Sequence, residues 1–181
     1  MAAQTRTNPR RVRLAGRGFS LVELVAVLTV AAVLAAVAVP AMTSTTGTRR
    51  SAASAQVARD LRLAQEMAVA AALPAWVAFD VAGNQYALRI EERANPGRAN
   101  ALPWTDPATG RDHVQRFGVA EFAGVSLVSA SIGGGSWAGF DWKGRPLAFN
   151  GATLTTTGAI GLGSGVEVRV EPGTGHVGVL P

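Results

Sequence analysis

Few side chains in this sequence have the type and spacing that catalysis or metal binding demands. The chain has two histidines, His113 and His176, and no cysteine. Thiol nucleophiles, thiolate metal sites and disulfides are therefore excluded, and neither histidine stands in a ligand spacing such as HExxH. Both are expected on the surface. The run GGGSWAG at 133–139 approaches the serine-hydrolase elbow Gly-x-Ser-x-Gly, but Ala138 occupies the place of the second glycine, so the run is expected to be a loop. Glu91 and Glu92 are adjacent in a strand-like pattern and would point to opposite faces, which fits a solvated strand end better than an acid–base pair. Asp106 and Asp112, in the 93–113 loop, could offer oxygens to calcium, yet they are far short of the ligand number calcium takes. No phosphate-loop or dinucleotide-binding spacing occurs. These observations lead to a non-enzymatic chain with no catalytic residue, no metal and no cofactor.

One carboxylate is out of place. From Phe19 to Met42 the sequence reads FSLVELVAVLTVAAVLAAVAVPAM, 24 residues in which Glu23 is the single ionisable side chain. About 20 apolar residues suffice to cross the hydrocarbon core of a bilayer. Arg6, Arg10, Arg11, Arg13 and Arg17 precede the run and only Arg49 and Arg50 follow closely, which places the N-terminus in the cytoplasm by the positive-inside bias and the remainder on the far side. A plain signal anchor explains the basic flank and the apolar run. A secretory signal peptide has the same start, with Ala36-Val37-Ala38 as its cleavage site, although the run continues past it. Neither uses Glu23, and an acid in the membrane is a functional feature by default. The bland alternative is a glutamate that snorkels to the headgroups.

The charge pattern bears on partners too. The 181-residue chain has a formal charge of +5, but the five leading arginines leave twelve basic and twelve acidic residues over positions 19–181. If the leader is lost, little counterion-release drive for nucleic acid remains.

Arg17-Gly18, followed by Phe19, Ser20, Leu21, Val22, Glu23 and Leu24, resembles the type IV prepilin signal: a short basic leader ending in glycine, then Phe-Thr/Ser-Leu-x-Glu-Leu opening an apolar helix. The resemblance implies that prepilin peptidase cleaves between Gly18 and Phe19, that Phe19 becomes N-methylated, and that residues 1–18 are discarded. It also gives Glu23 a role as an assembly contact. Its carboxylate would pair with the new amino terminus of a neighbouring subunit, where leaving either charge buried alone is strongly unfavourable. Pro40 falls where pilin helices commonly carry a proline and removes a helical donor, favouring a kink.

Beyond the apolar run, TSTTGT at 43–48 is a poor helix former and a candidate hinge. Helical periodicity then returns through Val57, Leu61, Ala64, Ala68 and Ala71, and Pro74 closes it. AWVAFDV and NQYALRIE flank Gly83-Asn84, predicting a hairpin over 75–92. After the 93–113 loop, strands are expected near 114–122, 124–130, 137–142, 146–149, 152–156, 159–162, 166–171 and 175–180. LRLAQEMAVAAALPAWVAFD (61–80) resembles the helix-to-strand segment of the GspH/FimT family of minor pseudopilins and minor type IV pilins, with Gln65 where an arginine is usual. FDWKGRPLAFNG (140–151) and TTGAIGLGSGVEVRVEPGTGHV (156–177) resemble that family's C-terminal turns and strands.

The fold class implied is α+β, type IV pilin-like: a long N-terminal transmembrane and amphipathic helix packed on an antiparallel β-sheet head. The division is a leader (1–18), a transmembrane segment (19–42), an amphipathic continuation (43–74) and a periplasmic head (75–181). The implied function is that of a minor pseudopilin of a type II secretion system or a minor pilin. Its partners would be prepilin peptidase, sibling subunits and the inner membrane. Two alternatives remain open. One is a DNA-binding minor pilin, for which TGHVGV at 174–179 lacks the basic residues wanted while Lys143, Arg145 and Arg169 could converge. The other is a membrane-anchored periplasmic binding module that never polymerises. Of the tryptophans, Trp142 is expected in the core, and Trp104 and Trp137 either in the core or at subunit contacts.

Overall fold

The computed structural model describes residues 20–163 and 165–180, with the backbone alone described over 36–45. The Gly18–Phe19 junction, its methylation and the leader lie outside the described residues, as does the side chain of Pro40. The chain divides into two compact units, residues 1–41 and 42–181.

A single α-helix, α1 (Leu21–Ala71), begins the described chain. Ser20 caps it: its Oγ accepts from Val22 N at 3.3 Å and its carbonyl from Leu24 N at 3.0 Å, leaving Glu23 in the first turn, where a negative charge suits the helix dipole. The 43–48 stretch, a poor helix former and candidate hinge within the expected helical continuation, is helical. The helix stops before Pro74 because Ala72 turns left-handed (φ 54°). Ala72 N then bonds Val69 O at 3.3 Å and Leu73 N bonds Ala68 O at 3.2 Å, the paired closure of a Schellman motif in which alanine takes the position glycine normally holds. Among the described residues no helix is long and apolar enough to cross a membrane. The spanning segment proposed for 19–42 rests on the sequence.

Among its described residues the head carries twelve short strands: β1 (Ala75–Asp80), β2 (Gln85–Ile90), β3 (Leu102–Pro103), β4 (Thr105–Asp106), β5 (Arg111–Asp112), β6 (Val114–Arg116), β7 (Leu127–Ser131), β8 (Trp137–Phe140), β9 (Pro146–Leu147), β10 (Gly158–Leu162), β11 (Val166–Val170) and β12 (Val177–Leu180). They form not one sheet but two larger ones and a ribbon. A six-stranded sheet runs β3-β2-β1-β8-β9 with β6 also on β2, a four-stranded sheet runs β12-β11-β10-β7, and β4 pairs with β5. The hairpin predicted over 75–92 is present, with Ala75 opposite Ile90 and Asp80 opposite Gln85. Asn84, not Gly83, takes the left-handed position (φ 52°), and its Oδ1 accepts from Leu127 N at 2.7 Å, so the turn also anchors the second sheet.

Three expectations need correction. The 93–113 segment contains β3, β4 and β5 rather than open loop, because its backbone groups find partners on β2 and on each other. Of the strand expected over 114–122 only Val114–Arg116 forms; the chain then turns at Gly118 (φ 79°) into a 3-10 turn at Ala120–Phe122 that seats Phe122 in the core. Residues 152–156 form no strand and contribute one bridge, Leu147 to Thr153.

Period-two alternation sorts each strand. Ala75, Val77 and Phe79 of β1, with Tyr86 and Leu88 of β2, face inward; so do Ile160, Leu162, Val168, Val170 and Val177 from the second sheet. Between them lies the stripe foreseen on α1: Val57, Leu61, Ala64 and Ala68 are fully buried, while Ala71 is only half-buried. The small residues Ala53, Ala64 and Ala68 and the larger Leu61 are fully buried in one cluster with side chains of both sheets. Fully burying such a leucine is worth about 1.5–3 kcal/mol.

Candidate functional site

The first candidate surface is on α1 itself. Over Leu21–Ala35 every described side chain is exposed, including Leu21, Val22, Leu24, Val25, Val27, Leu28, Val30, Val33 and Leu34. A helix that is apolar on all sides is built for an apolar surround, either lipid or other helices. Its one neutral polar side chain below the cap is already satisfied, since Thr29 Oγ1 donates back within the helix toward Ala26 O at 2.8 Å and Val25 O at 3.0 Å. Glu23 is exposed beside this surface and has no hydrogen-bond or ionic partner among the described residues. The geometry leaves a carboxylate at the start of a bare apolar helix.

A second constellation lies in the head, where sequence reasoning missed it. Asp60 lies on the stripe of α1, three residues after Val57, and is 2% exposed. Its Oδ2 accepts from the Tyr86 hydroxyl at 2.6 Å and lies 2.9 Å from His113 Nε2, while Gln56 Nε2 reaches both oxygens at 3.1 Å. Burial by itself would raise the Asp60 pKa. The hydrogen bonds from His113, Tyr86 and Gln56, with the imidazole's charge, outweigh it and leave the carboxyl below its ordinary value. His113 moves up, chiefly through its hydrogen bond to Asp60, against the opposing effect of burial. The Tyr86 phenol is pushed upward by burial and then by the Asp60 charge, and stays protonated. His113 is thus a partly buried network member, not the surface residue expected, because β5–β6 carries it under the helix; the Trp104 ring packs beside it, tilted, with centroids 5.7 Å apart. The sequence signal was a lone acid inside an apolar helical stripe.

The remaining candidates have local roles. Glu91 is buried instead of solvated, taking Trp76 Nε1 and Gly97 N at 2.7 Å each, because β2 ends at Ile90 and the chain folds back over it; Glu92 is exposed. Asp106 caps its own turn through Ala108 N at 2.8 Å and Thr109 Oγ1 at 3.1 Å, and Asp112 takes Thr105 Oγ1 at 3.2 Å. No group of three or more metal-binding side chains gathers among the described residues. His176 is exposed in the β11–β12 turn. Trp142 is 55% exposed rather than in the core, with the Lys143 ammonium 4.6 Å from its ring; Trp76 is buried, in a small cluster apart from the main core. Arg145 pairs with Asp141, and Arg169 with Glu167, so two of the three cations considered for DNA are neutralised where they stand. Gln65, standing where arginine is usual, donates to Gly144 O at 2.7 Å and Thr174 O at 3.3 Å, tying α1 to a turn from each sheet.

No family model matches the chain, and no curated protein does. Two solved structures of the minor pseudopilin EpsH from the type II secretion system of Vibrio cholerae are similar in fold, each with TM-score 0.52 and 12% identity. One match covers 73% of this chain and 95% of the other; the second covers 74% and 94%. The likeness establishes a pilin-like fold, one helix packed on antiparallel sheets.

Proposed function

We propose that this chain is a structural, non-enzymatic subunit of the minor pseudopilin type, which enters a secretion pseudopilus or related type IV pilus through its N-terminal helix. The observation that carries this reading is the juxtaposition on one chain of a pilin-like head and an apolar helix exposed on every side with a single carboxylate, Glu23, in its first turn. Such a surface is far larger than a soluble monomer tolerates. Residues 19–42 hold the subunit in the inner membrane with the head in the periplasm until assembly. Prepilin peptidase cuts between Gly18 and Phe19, and Phe19 is methylated. In the filament Glu23 meets the amino terminus of a neighbour, and Pro40 adapts the helix to its neighbours.

Mass spectrometry of the membrane-extracted protein provides the first test, with a methylated N-terminus at Phe19 expected. An intact Met1, or a start near Val39, would defeat the reading. The second test is Glu23→Ala, which should insert and be cleaved normally yet be recovered in sheared filaments at less than about a tenth of the wild-type amount, since an uncompensated buried charge costs about 3–5 kcal/mol. Wild-type recovery would remove the role assigned to Glu23.

A further inference from the structure

The glycine-rich 133–139 run, which no catalytic motif explains, builds an aromatic platform on the outer face of the six-stranded sheet. Trp76 alternates with the inward-facing Ala75 and Val77, so its indole lies on the far side of β1, in a small cluster with Ala101, Leu147 and Trp137. Gly139 sits opposite Trp76 in the β1–β8 register, and a Cβ there would come within 2.4 Å of the indole. Gly135 gives Phe149 the same room, a Cβ falling 2.1 Å from its ring. The two glycines therefore leave room for large rings close to the backbone.

Onto this platform the loop after β2 lays Arg98. Its guanidinium carbon is 3.7 Å from the centroid of Phe149 and 4.9 Å from that of Trp137. Arg89 approaches Trp137 at 5.5 Å and spends one nitrogen on Ala101 O at 2.7 Å. Stacking occupies the faces of the Arg98 guanidinium and leaves its in-plane fork of donors free. Among the described residues the Arg98 side chain has no hydrogen-bond or ion-pair partner. Arg98 forms one wall of a cleft of about 460 Å3, with Trp76, Leu147 and Phe149 as its apolar lining. Glu91 also lines the cleft, but both of its oxygens are occupied by Trp76 and Gly97.

We propose that this cleft is a docking site for a carboxylate, presented by an acidic residue next to a large apolar residue on an exposed segment of another protein, with Arg98 as its reader. The fork of a stacked arginine matches a carboxylate with two parallel hydrogen bonds. The Glu91 carboxylate at the same cleft disfavours a dianion, so one negative charge balanced by Arg98 fits better than a phosphate. The apolar lining receives the neighbouring side chain. Such docking does not depend on filament assembly.

Calorimetric titration of the full-length chain in detergent micelles tests it, using the peptide acetyl-Gly-Leu-Asp-Leu-Gly-amide and its Asp-to-Asn counterpart. Saturable binding of the Asp peptide is expected. The Asn peptide should bind about tenfold or more weakly, as should the Asp peptide to Arg98→Lys, because a charge-assisted bidentate pair is lost in each case. Arg116→Lys, remote from the cleft at Gln85, should bind as wild type does. Equal binding of the two peptides, indifference to Arg98→Lys, or no saturable binding overturns the proposal. So does displacement of the peptide by inorganic phosphate at lower concentration than by acetate, which would assign the site to phosphate. If Arg98→Lys fails to fold, the comparison of the two peptides on the wild-type chain still decides.

Discussion

Replacing Asp60 by alanine should be among the most damaging single changes in the head, although the residue belongs to no proposed interface. The carboxylate is buried, and it accepts the Tyr86 hydroxyl at 2.6 Å, the His113 ring at 2.9 Å and the Gln56 amide at 3.1 Å. Removing it strands a hydroxyl on a residue only 1% exposed, a penalty of about 1–3 kcal/mol for an unsatisfied buried group. With the loss of the charge-assisted bonds the total should reach about 3–5 kcal/mol. Urea unfolding monitored by tryptophan fluorescence measures it. The double variant Asp60→Ala/Tyr86→Phe separates the terms. Because the second change removes the stranded hydroxyl, the pair should be less destabilised than the sum of the singles by about 1–2 kcal/mol, within the range seen for contacting residues. A loss below about 1 kcal/mol for Asp60→Ala, or strict additivity, would refute the account of this network.

The same network fixes a pH window. His113 has a folded pKa raised above 6.5, so its contribution is complete below 6.5 and is lost as pH rises through the folded value. Asp60 has a folded pKa lowered below 3.8, so its contribution is complete above 3.8 and is lost as pH falls through the folded value. Stability from this pair is therefore greatest between 3.8 and 6.5, and the decline on the alkaline side should disappear in His113→Gln when Tm is followed against pH.

Two further changes probe the backbone. Ala72→Gly relieves a left-handed alanine at the end of α1 (φ 54°) and should stabilise the head by about 0.5–1 kcal/mol; a loss of stability on denaturant unfolding would contradict the assigned cap. Gly139→Ala forces a methyl against the Trp76 ring and should destabilise by about 1–3 kcal/mol through overpacking, with a shifted tryptophan emission; an unchanged midpoint would show that the ring has room to move.

Local pattern carried much of the architecture. The α1 stripe at Val57, Leu61, Ala64 and Ala68 follows from helical spacing alone, and the 75–92 hairpin follows from two apolar runs about a turn signal, because both are interactions between residues near one another in the chain. The apolar run with its single glutamate is equally local, legible from composition and length, and the structure adds that every described side chain of Leu21–Ala35 is exposed. Tertiary structure decided what depends on distant segments meeting. Trp142 reads as core and is exposed, while Glu91 reads as solvated and is buried, since the fate of a side chain at a strand end is set by which loop returns over it. His113 becomes a partner of Asp60 only because β5–β6 passes beneath the helix, and Arg98 meets Phe149 and Trp137 only because distant segments bring these rings together, with Gly135 leaving room for Phe149 and Gly139 for Trp76. Periodicity reports which face of an element is apolar. It holds no information about which remote donor arrives opposite a carboxylate, and that arrival is what distinguishes a solvated charge from a buried network.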